Sequence, residues 1–402
     1  MIAAKNKKPI FGIFLMFGGL PSTVMESQVF LHVEAINSCA TTMEVWSYAT
    51  TNDSYSDAKM KADKLSKKYK IRIRIFRGLS PGVPFSPYLN ALLLLYSLLR
   101  NRLHPAFINA RTEYAAVVAI LLKCVFHVRI IWDSRGDTIS EYELIKKRDT
   151  FFNPLILQLG SVLMRWRLNF AVKYCDAAIF VSNALMDLQW NKSLKKRAYV
   201  IPCLADENLF YYSNELRAFT RKSLGYLEDD IVLIYVGSLG PWQCVQETIG
   251  MMQNAMHINP KVKCLIITTE VARFKSLFGI SYETRVSVIS SDLAAVNSYL
   301  NASDYGFLLR QNNSINSVAS PVKFAEYSLS GLLVITTKAV DQVNQFGALL
   351  HNIISPEIFI SGIDGFCHSH ETRQKISTNA IAILSRGSSR IQSSFLDIYS
   401  GN

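Results

Sequence analysis

The chain is poor in charge: Asp, Glu, Lys and Arg together make up 18% of its 402 residues, against roughly 25% in ordinary soluble domains. With half of the residues hydrophobic, that scarcity excludes an intrinsically disordered chain. Glycine and proline are sparse too, at 19 and 12 residues without a period, which excludes a collagen-like fibre. A membrane span needs about 18 apolar residues in a row, and none is present. Ala91–Leu99 is too short, and Ala115–Val128 is broken by Lys123. No secretory signal is evident, because Lys5, Lys7 and Lys8 run into Pro9 and a stretch broken by Gly12, Gly18 and Gly19. A cytoplasmic protein is expected. The seven cysteines include no Cys-x-x-Cys pair, so buried reduced thiols are expected.

Acidic residues are scarce in one half only. Residues 1–205 hold 28 Lys/Arg against 14 Asp/Glu, whereas residues 206–402 hold 15 against 17. A basic half attracts phosphates, whether of a substrate, a lipid surface or a nucleic acid. Zinc-finger spacing, an RNP-like aromatic motif and long arginine runs are all missing, which argues against nucleic acid. The apolar segment Pro154–Lys173, with Arg165, Trp166 and Arg167 inside it, reads either as an ordinary packed helix with a solvated basic edge or as a helix lying on an anionic membrane surface.

Apolar strands alternate with helical stretches throughout. Strands are expected at Pro9–Phe17, Met43–Ser47, Ile71–Phe76, Ala106–Asn109, His127–Trp132, Ala177–Val181 and Tyr199–Pro202. The second half repeats the pattern at Ile231–Val236, Val262–Thr268, Tyr305–Leu309 and Leu332–Thr336. Short apolar strands alternating with helices indicate buried parallel sheets, an α/β fold. Two series predict two Rossmann-like domains, 1–205 and 206–402, joined near Ala205–Ser213. Ligands of such sheets bind just beyond the carboxyl ends of the strands, which is where chemistry is to be sought.

Four strand ends stand out. The first strand runs into Gly18-Gly19-Leu20-Pro21, a turn that lets backbone approach a ligand. The strand ending at Trp132 is followed by Asp133-Ser134-Arg135-Gly136, in which Asp133 either orients Arg135 or takes a substrate hydroxyl, and Arg135 is suited to a phosphate. The strand ending at Val236 gives Gly237-Ser238-Leu239-Gly240, a turn into a helix suited to a diphosphate. It is not Gly-x-Gly-x-x-Gly, and no acidic ribose ligand follows some 20 residues later, so a nicotinamide cofactor is not expected. The strand ending at Leu309 gives Arg310, a polar loop, and a helix with Ser320 expected as N-cap, Pro321 in its first turn and Gly331 as its stop. Lys323 and Glu326 share a face of that helix. Glu326 lies about 9 Å along the axis from the helix start, the span from a diphosphate to its ribose. No Asp-x-Asp metal motif is present.

At these residues the chain resembles retaining glycosyltransferases of the GT-B architecture, specifically family 4 as found in bacterial surface-polysaccharide synthesis. The blocks are the Gly18–Pro21 loop, Asp176–Ser182, Val200–Phe210, Tyr235–Gly240 and Ser320–Thr336. The resemblance implies a cleft between two Rossmann-like domains, with a UDP-, GDP- or dTDP-sugar donor bound by the second. It implies a glycan or polyprenyl-diphosphate-linked acceptor on the first, at Gly18, Gly19 and Arg135. It also implies a cytoplasmic protein, at most peripheral on the inner face of the plasma membrane, with no cofactor or metal, and a helix near Lys375–Ser385 that crosses back to the first domain. Glu326 matches the family's ribose-binding glutamate, while Val318 stands where the first glutamate of that motif falls. Ser238 and Trp242-Gln243 stand where the family has its arginine and lysine, and no histidine falls near Asp133. Arg310, Lys323 and Asp133 are the expected catalytic residues, and Gly237, Ser238, Leu239, Gly240, Ser320, Pro321 and Glu326 the donor ligands. The readings left beside transfer are a nucleotide-sugar epimerase and a non-catalytic nucleotide-sugar binder.

Overall fold

The computed structural model describes residues 10–18, 20, 26–37, 41–148, 154–190, 197–240, 242–279, 284–362 and 369–399. The chain divides into two compact units, Met1–Pro202 with Ser389–Asn402, and Cys203–Ser388.

The first unit is built on a seven-stranded parallel sheet of order β3-β2-β1-β4-β5-β6-β7. Its strands are β1 (Ile10–Phe17), β2 (Thr41–Ala49), β3 (Ile73–Arg77), β4 (Phe107–Arg111), β5 (Arg129–Ser134), β6 (Ala177–Phe180) and β7 (Arg197–Val200). Between them run α1 (Leu31–Asn37), α2 (Asn52–Tyr69), α3 (Ser86–Arg100), α4 (Thr112–Leu121), α5 (Thr138–Arg148), α6 (Pro154–Tyr174) and α7 (Asn183–Gln189). Parallel crossovers are right-handed, so helices made while the chain steps from β1 toward β3 lie on one face and those made toward β7 on the other. The continuous apolar runs follow from that cover. Ile13, Phe14 and Leu15 of β1 are all fully buried, as a strand roofed on both sides must be.

The second unit holds a six-stranded parallel sheet, β10-β9-β8-β11-β12-β13. These are β8 (Ile231–Val236), β9 (Val262–Ile267), β10 (Val286–Ile289), β11 (Tyr305–Leu308), β12 (Leu333–Thr336) and β13 (Ile353–Ile354). Its helices are α8 (Asn214–Leu224), α9 (Val245–Ile258), α10 (Val271–Phe278), α11 (Leu293–Ala302), α12 (Ser314–Ser317), α13 (Val322–Leu329), α14 (Asp341–Leu350), α15 (Pro356–Gly362) and α16 (His370–Leu384). Alternate residues of β8 feed two cores. Val232 and Ile234 pack with α13 and α16 residues such as Tyr327 and Leu384, while Leu233 and Tyr235 pack with Met252 and Phe274 of α9 and α10.

One buried knot ties α8, α11, α16 and β11 together. Asp304, just before β11, accepts from Arg217 at 2.6 Å and pairs with Arg221 at 3.4 Å and Arg373 at 3.6 Å. Arg217 and Arg221 also donate to the carbonyls of Asn301, Ala302 and Ser303 at the end of α11. Guanidinium groups there offset the negative end of the helix dipole.

The helix expected to return to the first unit, near Lys375–Ser385, is α16 and stays in the second. The segment that belongs to the first unit is one helix later, α17 (Ser389–Tyr399). Its Phe395, Ile398 and Tyr399 are buried, and the Ile398 carbonyl accepts from Arg129 at 2.7 Å. Apolar spacing is present in both helices, and it is α17 whose Phe395 and Tyr399 pack on His32 and Phe107 of the first unit. Within the segment Pro154–Lys173, Arg167 is buried and donates to the Pro81 carbonyl at 2.7 Å, whereas Arg165 and Trp166 are exposed.

Candidate functional site

In a doubly wound sheet the ligand crevice opens where the strand order reverses. In the second unit that point lies between β8 and β11, which pair directly through Leu233–Tyr305 and Ile234–Gly306. The loops leaving these two strands are Gly237–Gly240 and Leu309–Gln311. Topology therefore brings together two of the stretches singled out in the sequence.

The glycine turn is braced from within. The Gly237 amide donates to the Ile267 carbonyl at 3.0 Å and the Leu239 amide to Glu270 at 2.7 Å. Tyr235 bonds the Ser238 carbonyl at 2.8 Å and also the Gln243 amide oxygen. A Cβ on Gly237 would sit 2.7 Å from that oxygen, so a larger residue there would displace the Gln243 side chain from its bond to Tyr235. The Leu239 amide is committed to Glu270, which leaves the turn with fewer donors for a phosphate than the sequence promised. Cys244, ahead of α9, is left-handed at φ 47°, and burial raises its thiol pKa.

Arg310 is the turn's counterpart on β11. Thr337 grips its backbone from both sides, accepting from the amide at 3.2 Å and donating to the carbonyl at 2.7 Å. The guanidinium donates to the Leu309 carbonyl at 2.8 Å, and no carboxylate among the described residues pairs with it. Burial lowers its pKa, while Tyr235, Tyr327 and Cys244 beside it oppose that shift. A cation withdrawn from water without a counter-ion is costly, and an anionic ligand removes that cost.

The third part is α13. Its Tyr327 accepts the Val236 amide at 3.0 Å and packs over Gly306, where a Cβ would meet the ring at 2.6 Å. That contact locks α13 to the ends of β8 and β11. Gly331 stops the helix at φ 72°, in the left-handed conformation expected of it. The N-terminus differs from expectation. Pro321 precedes the first helical residue and no side chain caps it, because the Ser320 hydroxyl accepts the Cys203 amide at 2.9 Å instead. A tertiary partner outcompetes the local cap, and the first amides of α13 are left with no intrahelical acceptor. Lys323 and Glu326 do share a face, and their side chains meet at 2.7 Å with Glu326 buried.

A pocket of about 440 Å³ opens beside these loops, lined by Leu239, Gly240, Cys244, Glu247, Arg273 and Gln311 among others. Its size suits a small organic ligand. Gly240 and Gln311 on its wall come from the two sides of the strand-order reversal. Among the described residues, no group of three or more His, Cys, Asp or Glu converges as metal ligands would.

In the first unit the order reverses between β1 and β4. Gly18, at φ 108°, donates to the Tyr48 carbonyl at 2.9 Å; Gly19 lies outside the described residues. Asp133, expected to be catalytic, is fully buried and forms an ion pair with Arg135 at 2.8 Å. A carboxylate with no open surface cannot touch a substrate, so its place is that of an anchor for Arg135. Arg135 in turn reaches toward buried His32, at 3.5 Å. Burial and the cations Arg135 and Arg111 hold the His32 pKa well below its ordinary value.

Sequence reading passed over Thr112 and Glu113, which directly follow β4. Thr112 is held at φ 76°, a conformation a β-branched residue adopts only under constraint. Glu113 behind it is buried and accepts from Thr138 at 3.2 Å, and burial raises its pKa. Glu141 is raised as well, by burial and by Asp137 and Glu113 nearby. Their position at a strand end was the signal available.

No protein-family model and no curated protein matches the chain. Solved structures do match, over nearly the whole chain. The Anabaena protein Alr3699/HepE, solved in complex with UDP, superposes at a TM-score of 0.69 with 15% identity, covering 98% of this chain and 100% of that one. A glycosyltransferase from Rickettsia africae gives 0.67 at 14% identity, covering 97% and 98%. Sucrose-phosphate synthase from Thermosynechococcus elongatus gives 0.64 at 12%, covering 98% of each. With two parallel-sheet units of seven and six strands, the chain has the GT-B fold of two Rossmann-like domains.

Proposed function

We propose that the protein is a nucleotide-sugar glycosyltransferase that moves a sugar from a nucleoside-diphosphate donor to a glycan or lipid-linked hydroxyl with retention, as family 4 enzymes of surface-polysaccharide synthesis do. The observation that carries this reading is Arg310, a half-buried guanidinium without a carboxylate partner among the described residues, held at the strand-order reversal beside a glycine turn and a pocket. A structural neighbour solved with UDP and with UDP-glucose supports a donor of that class.

The chemistry follows from charge. When the bond between sugar and diphosphate breaks, negative charge grows on the departing phosphate oxygen. Arg310 and the uncapped amides at the start of α13 are set to receive it, and such pre-organised donors lower a barrier more than they strengthen binding. Glu326 takes the ribose hydroxyls, releasing Lys323 from their present ion pair toward phosphate. Ser238 and the glycines of the turn let the diphosphate approach backbone. No resident metal or cofactor is called for, since fixed positive groups supply the neutralisation. On the first domain, Arg135, set by Asp133, and Gly18 belong to the acceptor side.

The test is calorimetric titration of the purified chain with UDP-, GDP- and dTDP-sugars, followed by product analysis with and without acceptor glycans. Binding of one donor class, with product only when acceptor is present, is the expected result. Product from donor alone identifies an epimerase, binding without product a non-catalytic binder, and no binding at all refutes the donor site.

A further inference from the structure

Two helices of the first unit are apolar on the outside as well as the inside, where α3 buries Ala91, Leu94 and Leu98 and α6 buries Ala171. α3 also buries polar residues, with Ser86 and Asn90 fully covered and Ser97 nearly so; Asn90 donates to Tyr114 and the Leu79 carbonyl, and Ser97 accepts from Tyr48. Its outer face is apolar: Tyr88, Leu89, Leu92, Leu93, Tyr96 and Leu99 are all exposed, Leu92 by 60%. α6 repeats the pattern. It buries Ser161 and Arg167 while exposing Leu159 by 70%, Val162, Leu163 and Trp166. A surface helix of a globular protein carries charged and polar residues on its outer face. Both helices pack on α4, which is buried between them and the sheet, so the two apolar stripes belong to one face of the unit.

The charge that the two helices themselves carry has one sign. Neither α3 nor α6 contains an Asp or Glu, and exposed Arg100, Arg102, Arg165 and Lys173 border the apolar residues. Arg100 donates to the Tyr96 hydroxyl at 3.2 Å, and the Lys173 ammonium lies over the Tyr174 ring. Glu143 of α5 lies 3.8 Å from Arg165, so the fringe is cationic in balance, and with the apolar side chains and interfacial Trp and Tyr it matches a bilayer surface of anionic lipid. A second copy of the same chain would bring like charges together at that fringe, which costs rather than stabilises.

We propose that the α3–α6 face of the first unit docks the protein on an anionic lipid bilayer, with the Leu and aromatic side chains entering the headgroup boundary. No helix among the described residues is long and apolar enough to cross the membrane, so the association is one of surface attachment. This inference does not rest on the donor site, and Arg310 variants leave it untouched.

The experiment is sedimentation of the full chain with vesicles of phosphatidylcholine, with and without phosphatidylglycerol, at low and high salt. Binding is expected to the anionic vesicles and to weaken with salt. Leu92→Glu/Tyr96→Glu, at exposed positions where folding is checked by circular dichroism, is expected to lose binding at least about tenfold. Arg165→Gln is expected to lose about fivefold. Brominated lipid is expected to quench fluorescence by a component missing in Trp166→Phe. Equal partition of wild type and the double variant, or no binding to anionic vesicles, overturns the proposal. So does a dimer in sedimentation velocity that the double variant dissolves, with no vesicle binding, since the face would then be covered by a second copy.

Discussion

Replacing Arg310 by methionine removes a charge that the folded protein holds at a loss. The guanidinium is drawn out of water, has no carboxylate partner among the described residues and makes one side-chain hydrogen bond, to the Leu309 carbonyl. Losing that bond costs about 1 kcal/mol. Relieving the desolvated charge returns a comparable amount, because apolar groups in place of buried ions are often neutral or better. Stability of the free protein should therefore stay within about 1 kcal/mol of wild type, which moves the melting temperature by at most a few degrees. The reaction should respond differently. A single pre-organised donor facing developing charge contributes about 10²–10³ in kcat, so kcat should fall by that factor with a smaller change in donor KM. Thermal denaturation and steady-state kinetics on one preparation test both halves. A variant that unfolds well below wild type would make Arg310 a structural residue, and an unchanged kcat would remove it from the mechanism.

Glu326→Gln should weaken donor binding about 10- to 100-fold, the worth of a charged hydrogen bond to a ribose hydroxyl; titration with intact donor checks it, and unaltered affinity would detach Glu326 from the ribose. Asp304→Asn leaves three buried guanidinium groups without their carboxylate, and should cost about 3–5 kcal/mol in urea unfolding. His32 stays neutral in the fold but binds a proton when unfolded, near the ordinary histidine value of about 6.5. The unfolded state thus holds more protons below that pH, and His32 should subtract up to about 1.4 kcal/mol per unit as pH falls. The difference between wild type and His32→Leu isolates this slope from the opposite one of Glu113, whose raised pKa makes stability fall as pH rises above the carboxylate range. Parallel pH profiles would exclude His32 as the source.

Much of the donor half was legible from local pattern. β8 and β11 are short apolar runs, and β-structure buried on both faces leaves that trace. The stop of α13 at Gly331 is written in one residue, because the backbone there is left-handed and a Cβ would lie 2.6 Å from the Arg373 carbonyl oxygen. The start of the same helix was misread because Ser320 has a distant partner, Cys203, that no spacing reveals. β10 and β13 escaped notice for another reason: as edge strands they are only half-buried, and one is two residues long. Asp133 looked available because proximity to Arg135 is visible in sequence and burial is not. Thr112 and Glu113 lie at a strand end like the others, but a strained backbone has no signature in composition. The apolar outer face of α3 was equally hidden, since periodicity shows that a helix has an apolar side without saying whether anything covers it.

The last helix of the first unit has a consequence for how the protein is made. Phe395 packs edge-on against His32, and the Tyr399 hydroxyl accepts from Asn109 at 3.1 Å, yet all of Cys203–Ser388 is synthesised between those partners. At about 5–20 residues per second on the ribosome, the β1–β7 layer waits on the order of ten seconds or more for its last helix. The second unit, contiguous in the chain, closes first. The half that begins the sequence is therefore the later one to be completed, and through that interval the places of Phe395, Ile398 and Tyr399 beside His32, Arg129 and Phe107 stay unfilled.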